Sequence, residues 1–446
     1  MGVPQSDETS ARLVSRSVRV AVPSLRAALD AMPAPHTFWT GPDEATVVAG
    51  GVAAAITAGG RDRFTAIRDG IDRVLRSGNV HAGTEAACPR LFGGFAFHDE
   101  GSDDDTWGDF PGARFVLPRI QVTDTDRGTW LTVNAVGPDA TPAAVEERLA
   151  DERARLEALD AADPTPPPGI VSRTRTTPRS EWRESVAAAV DRIRAGDLRK
   201  VVLAQALEVA LDRPLSVPDV LARLGDTYPD CYRFLVEPTA DADRPSFFGA
   251  TPERLVSRHG RTVTTGALAG TTGRGDTPAE DDWLAEELLA DEKNVHEHEL
   301  VAETIRQQLD PFASSITAGQ RRVRRLETVQ HLFTPITATL DRDTHVLDLV
   351  EALHPTPAVG GLPPERALTT IRETEPFDRG WYAAPIGWVD AAGNGSFAVA
   401  IRSALARGDA ATLFAGVGVV ADSDPDREWD EVQLKYRPIL DELERA

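Results

Sequence analysis

Of the 48 basic residues in this chain, only Lys200, Lys293 and Lys435 are lysines. Arginine fills every other basic position. A guanidinium keeps its proton, whereas a buried ammonium on a flexible stem can lose one. The lysines are therefore candidates for work that arginine cannot do. Lys293 stands four residues before Glu297, and Lys435 four residues after Glu431. Both pairs fall in runs of helical character. Residues 281–309 read as one helix: Leu284, Leu288 and Leu289, then Val301, Ile305 and Leu309, recur at helical spacing with no Pro or Gly between. In the last helix Glu428, Glu431, Val432 and Lys435 fall at i, i+3, i+4 and i+7, so two carboxylates and an ammonium share a face. The plain alternative is a solvated helix carrying exposed i,i+4 pairs. Against it, the pairing occurs twice, each time beside an apolar stripe, where a charge must be paired or bound to a metal. Mg²⁺ takes one or two carboxylates together with water and substrate oxygens. Glu297 from one helix and Glu431 from another would suit it.

The surrounding chain is globular. It has 446 residues, 41% of them hydrophobic, enough for one large fold or two to three domains. A formal charge of −22 argues against a nucleic-acid partner, which needs clustered Lys and Arg. No apolar run is long enough for a membrane span. The N-terminus lacks an apolar leader, and two cysteines, Cys88 and Cys231, make no disulfide framework. A cytoplasmic protein is the expectation. Abundant Ala, Asp and Arg with scarce Lys give a halophile-like composition.

Several elements must position the chemistry. Residues 1–165 read as a divergent mixed α/β region belonging to the same fold. Strands are expected at 12–22, 45–58, 91–97, 113–122 and 129–136, helices at 61–77 and 142–161, and a surface loop at 98–113. No catalytic constellation shows there; His81 and His98 are taken as ordinary histidines. Residues 161–179 are rich in Pro and Thr and read as a linker. The catalytic region is expected over 180–446. A helix capped by Ser180 ends at Gly196, and a buried strand opens at Lys200. Glu253 follows Pro252 at the start of another strand. Further strands are read at 262–272, 327–336 and 412–420, the last carrying Gly416 and Gly418. Residues 354–364 form a Pro/Gly loop, Asn394-Gly395 signals a hairpin, and Asp424-Pro425 starts the last helix. His296-Glu297-His298-Glu299 is not a zinc motif, because adjacent residues face different sides of a helix. Gly416-Val417-Gly418 lacks the third glycine of a dinucleotide fingerprint.

In chain order, KVVLAQ (200–205), GATPERL (249–255), ALAGT (267–271), DEKNVHEHEL (291–300), HPTPAVGG (354–361), EPFDRGWY (375–382), AIR (400–402), LFAGVGVV (413–420) and the E-x-x-E-x-x-x-K helix (428–435) resemble the chorismate-utilising enzymes. That family includes isochorismate, anthranilate, aminodeoxychorismate and salicylate synthases. The resemblance runs from about residue 180 to the C-terminus. It implies an α+β fold of two layered, mostly antiparallel β-sheets flanked by helices, chorismate as substrate and Mg²⁺ as cofactor. Water-adding members carry Lys at the position of Lys200, where anthranilate synthase has Gln. The nucleophilic Lys of aminodeoxychorismate synthase is replaced here by Ala269. The implied activity is isochorismate synthesis without a glutaminase partner, feeding menaquinone synthesis. Salicylate synthase, anthranilate synthase component I and a non-catalytic chorismate-binding subunit stay open.

The resemblance also implies roles. Glu297 and Glu431, with help from Glu428, would hold Mg²⁺ against the ring carboxylate. Lys200 would activate water for attack at C2, and Glu253 would protonate the departing C4 hydroxyl. Thr271, His298, His331, Tyr382, Arg402, Lys435 and the amides of Gly416 and Gly418 would bind substrate. Gln205 and Ala384 depart from the common pattern, which has Arg and Gly there.

Overall fold

The computed structural model describes residues 12–76, 78–99, 105–138, 140–161 and 163–444. The leader expectation at residues 1–11 and the middle of the 98–113 loop lie outside these. Two long strands, Thr46–Ala58 and Ala113–Thr125, form the hub. They pair antiparallel along most of their length, with a register shift between Val52 and Ala54. Each reads as alternating or continuous apolar residues, as a strand buried on one or both faces should.

Two sheets leave this hub. Thr46–Ala58 pairs with His36–Thr40, which leads through Tyr232–Val236, Ser246–Thr251, Ser403–Arg407 and Ala410–Val419 to Lys200–Leu211. The first half of Ala113–Thr125 pairs with Leu91–Phe95, which leads through Pro385–Val389, Gly395–Val399, Arg254–His259 and Thr262–Gly273 to Val329–Leu340. Among the described residues all 21 strands thus join one hydrogen-bonded network. Among the described residues every pairing is antiparallel except Leu13–Arg19 with Gly78–His81. The helices lie on the outside, and among the described residues none is long and apolar enough to cross a membrane.

The chain passes from one sheet to the other at two places that matter. Ser246–Thr251 belongs to the first sheet and Arg254–His259 to the second, so Pro252-Glu253 is a crossover. Gly395–Val399 and Ser403–Arg407 are split in the same way, so Ala400, Ile401 and Arg402 form the other. The crossovers lie side by side. Val399 N–H donates to Glu253 O at 3.0 Å, and Ala250 N–H donates to Arg402 O at 3.1 Å.

Three expectations are corrected. Residues 281–309 are two helices, Pro278–Ala290 and Glu292–Leu309, broken at Asp291. The Asp291 side chain accepts from Asn294 N–H at 2.7 Å and so caps the second helix. The 161–179 stretch is not all linker, because Ile170–Arg175 adds an edge strand to Lys200–Leu211. Its side chains are mostly exposed, which gave it a polar reading. Ser180 is not a cap: the helix is Arg179–Arg194, preceded by Pro178. Asp424 does cap the last helix, Pro425–Leu440, accepting from Asp426 and Arg427 N–H.

Candidate active site

Elements of both sheets converge on one cavity. Lys200 enters from the first residue of its strand and Glu253 from its crossover. Leu268, Ala269 and Thr271 come from Thr262–Gly273, Lys293 and Glu297 from the second of the two helices, and Glu428, Glu431 and Lys435 from the last helix. His331, Tyr382, Arg402, Gly416 and Gly418 complete the part anticipated from the sequence.

The three lysines each meet a carboxylate here. Lys200 Nζ lies 2.7 Å from Glu297 Oε1, with the Lys200 side chain 1% exposed. Lys293 Nζ lies 3.2 Å from Glu428 Oε1. Lys435 Nζ lies 2.7 Å from Glu431 Oε1 and donates to Gly416 O at 2.9 Å. The i,i+4 reading therefore holds for Lys435 with Glu431. Lys293 instead reaches across to the other helix. Burial alone would raise Glu297, but Lys200 and the other two lysines hold it below the ordinary carboxylate range. Burial and the charge of Glu431 push Glu428 up, and Lys293 only partly offsets them.

Glu253 differs from these. It is buried, and burial raises its carboxyl to about 7, against the pull of Lys200, Lys435 and Arg402. A carboxyl titrating there can give or take a proton near neutral pH.

Glycines permit the close approaches. A Cβ on Gly418 would sit 2.6 Å from Glu297 Oε1 and 2.9 Å from Lys200 Cε, so only glycine leaves room for that pair. Val202 N–H donates to Gly360 O and Ala204 N–H to Glu375 Oε1. Their cross-strand partners are Gly418 and Gly416, so these are non-hydrogen-bonded pairs. The N–H groups of Gly416 and Gly418 then point away from the Lys200 strand. Gly270, at φ +78°, marks a bulge in Thr262–Gly273. Just beyond the bulge, Thr271 Oγ1 meets His331 Nδ1 at 3.0 Å.

Arg402 holds φ +52°, unusual for a residue with a side chain. Its Nη2 approaches His331 Nε2 at 3.4 Å. A guanidinium can only donate, so Nε2 accepts and the proton of this imidazole sits on Nδ1, toward Thr271. Burial and the neighbouring Arg402 keep His331 neutral, well below its ordinary range. The other terminal nitrogen, Nη1, is buried without a partner among the described residues. An orphaned guanidinium nitrogen at a cavity wall is placed to receive a carboxylate.

His298 is the one expected site residue that does not line the cavity. Its Nδ1 lies 3.3 Å from Ala269 O and its Nε2 lies 2.8 Å from Thr334 Oγ1. Both nitrogens are used to tie its helix to the sheet. Arg379 was not singled out from the sequence, yet it lines the cavity. It donates to Val359 O and Val202 O at 2.8 Å each and pairs with Glu375. It thus fastens the Lys200 strand to the 354–361 loop. The i,i+4 spacing of Glu375 and Arg379 was the available signal.

Among the described residues no three His, Cys, Asp or Glu side chains gather into a ready metal-ligand set. Glu297, Glu428 and Glu431 nevertheless face the same cavity. They offer oxygen donors only, and the Glu428 carboxyl is raised by its neighbour's charge. Such a set fits a hard divalent cation that also takes oxygens from substrate and water.

Comparison with known proteins gives the context. The family model described as chorismate binding enzyme matches residues 4–444. Isochorismate synthase MenF of Bacillus subtilis strain 168 is 39% identical over 365 residues, covering 80% of this chain and 75% of that one. The salicylate biosynthesis isochorismate synthase of Pseudomonas aeruginosa is 37% identical over 415 residues, covering 92% and 85%. Among solved structures, the menaquinone-specific isochorismate synthase MenF from Escherichia coli is 26% identical, with a TM-score of 0.80 over 97% of this chain and 95% of that one.

Proposed function

The chain belongs to the chorismate binding enzymes, and we propose that it is an isochorismate synthase. On this reading it adds water at C2 of chorismate and expels the C4 hydroxyl, with Mg²⁺ as cofactor and no glutaminase partner. The product would feed menaquinone synthesis. The observation that carries the reading is that an amine side chain, Lys200, and a carboxyl raised to about 7, Glu253, line one cavity beside three further carboxylates.

Glu297, Glu431 and Glu428 would hold the cation. When bound, Mg²⁺ supplies positive charge that fixes and neutralises the ring carboxylate. Lys200 acts as the neutral amine, having given up its ammonium proton beforehand, and takes the proton of the attacking water. Hydroxide is a poor leaving group, so the C4 oxygen must be protonated as it departs; Glu253 in its acid form gives that proton. Arg402 offers its unpartnered Nη1 to a carboxylate. Lys435, Tyr382, Thr271, His331 and the outward amides of Gly416 and Gly418 hold the rest of the substrate. Relatives at 37–39% identity named as isochorismate synthases support the assignment.

Incubation with chorismate and Mg²⁺, followed by chromatographic identification of products, tests it. Isochorismate is expected. Salicylate with pyruvate, or ammonium-dependent anthranilate, would replace the reading.

A further inference from the structure

A second cavity lies behind Glu253. It shares Glu253 and Leu268 with the first, but its other walls come from Tyr232, Arg254, Phe333 and the short strand Arg322–Arg325. Three of its arginines have an unusual set of partners. Arg254 donates to the hydroxyls of Tyr232 and Thr264. Arg324 donates to Pro252 O at 2.9 Å and Asp230 O at 2.7 Å. Arg322 is exposed and makes no side-chain hydrogen bond among the described residues. None of these three forms an ion pair among the described residues, in a chain whose net charge is −22. Arg325, in contrast, is matched by Asp281 and Asp282. Among the described residues, Asp230, at the rim, is the only acidic group on this wall besides Glu253.

The guanidiniums also frame aromatic faces. Arg322 and Arg324 lie 5.6 Å and 5.7 Å from the Phe333 ring centre, and Arg254 lies 5.7 Å from that of Tyr232. Gathered positive charge with only neutral partners calls for an anion. Flanking rings favour an anion that carries a flat apolar body.

We propose that this second cavity is a binding site for a small cyclic carboxylate, held by Arg322, Arg254 and Arg324 against Phe333 and separate from the main cavity. Occupancy is felt at the main cavity through one contact. Arg324 holds the carbonyl of Pro252, the residue before Glu253, so a ligand that draws Arg324 toward itself shifts the crossover carrying Glu253.

The test uses the full chain, with 4-hydroxybenzoate as probe and inorganic phosphate as a ringless anion. Binding is followed by calorimetry in wild type and in Arg322→Ala. The substituted side chain is exposed and, among the described residues, makes no hydrogen bond or ion pair, so folding and unprobed turnover stay unchanged. The proposal expects saturable 4-hydroxybenzoate binding tighter than about 1 mM, weaker phosphate binding, and a loss of roughly tenfold or more in Arg322→Ala. It is overturned if 4-hydroxybenzoate does not saturate in that range. It is equally overturned if Arg322→Ala binds as wild type does, which would place the probe in the main cavity. Phosphate binding as tight as the aromatic acid would remove the role of the rings. The binding measurement does not depend on which reaction the main cavity performs.

Discussion

Two cavities meet at Glu253, and they handle charge in opposite ways. In the first, each lysine has its own carboxylate: Lys200 with Glu297, Lys293 with Glu428 and Lys435 with Glu431. In the second, three arginines face neutral oxygens and aromatic rings. The first uses all three lysines of the chain, the second none. A cavity built for proton transfer needs cations that can give up a proton and anions that can take one. A cavity built to hold an anion needs only fixed charge.

The contrast can be broken at Lys200. Lys200→Arg keeps a cation opposite Glu297 but removes the exchangeable proton. Turnover should fall by about 10²–10⁴-fold with the fold retained by circular dichroism. A rate near wild type would mean that the position supplies charge alone. Glu297→Gln leaves Lys200 buried without its counter-charge, which should cost ~3–5 kcal/mol in denaturant unfolding, with Mg²⁺ affinity lost as well. Unchanged stability would show that these pairs do not hold the first cavity together.

Glu253 sharpens the comparison through pH. Its folded value of about 7 lies above the ordinary 4.5. Between these values the folded state keeps a proton that the unfolded chain releases. Stability from this group is therefore fully present below about 4.5, falls as pH rises to about 7, and is level beyond. Glu253→Gln should abolish turnover yet raise stability at pH ~8 by up to about 3 kcal/mol, with no gain at pH ~4. Equal effects at both pH values would mean that the wild-type carboxyl is not held in its acid form. Smaller still, Gly418→Ala brings a methyl against Glu297 and Lys200. It should cost ~1–3 kcal/mol and lower turnover more than it weakens binding to the second cavity. Equal losses at both would deny that Gly418 serves the first cavity.

Much of the first cavity was legible in the sequence because its parts carry strong local signals. Lysine scarcity is read from the whole composition, while carboxylate–lysine spacing of four and the Asp424-Pro425 helix start act within a few residues. The break at Asp291 was hidden because Asp at a cap looks like Asp on a helix face when no Gly or Pro accompanies it. His298 was misplaced for a related reason. Helical spacing says which face a residue shares with Val301 and Ile305, not whether a sheet carbonyl such as Ala269 O lies there to occupy it. The sheet crossovers at Pro252-Glu253 and Ala400 to Arg402 were beyond reach, since strand pairing across 150 residues of sequence leaves no local trace. Those crossovers place the acid and the guanidinium whose Nη1 has no partner among the described residues. The second cavity was illegible for the same reason: Arg322 and Arg324 are ordinary surface letters until Phe333 is set beside them.

Running the reaction in ¹⁸O-labelled water, with mass analysis of the product at low conversion, tests most directly whether Lys200 delivers solvent water while Glu253 releases the old hydroxyl. The account predicts one labelled oxygen, at C2. An unlabelled product, its hydroxyl carried over from C4, would contradict it.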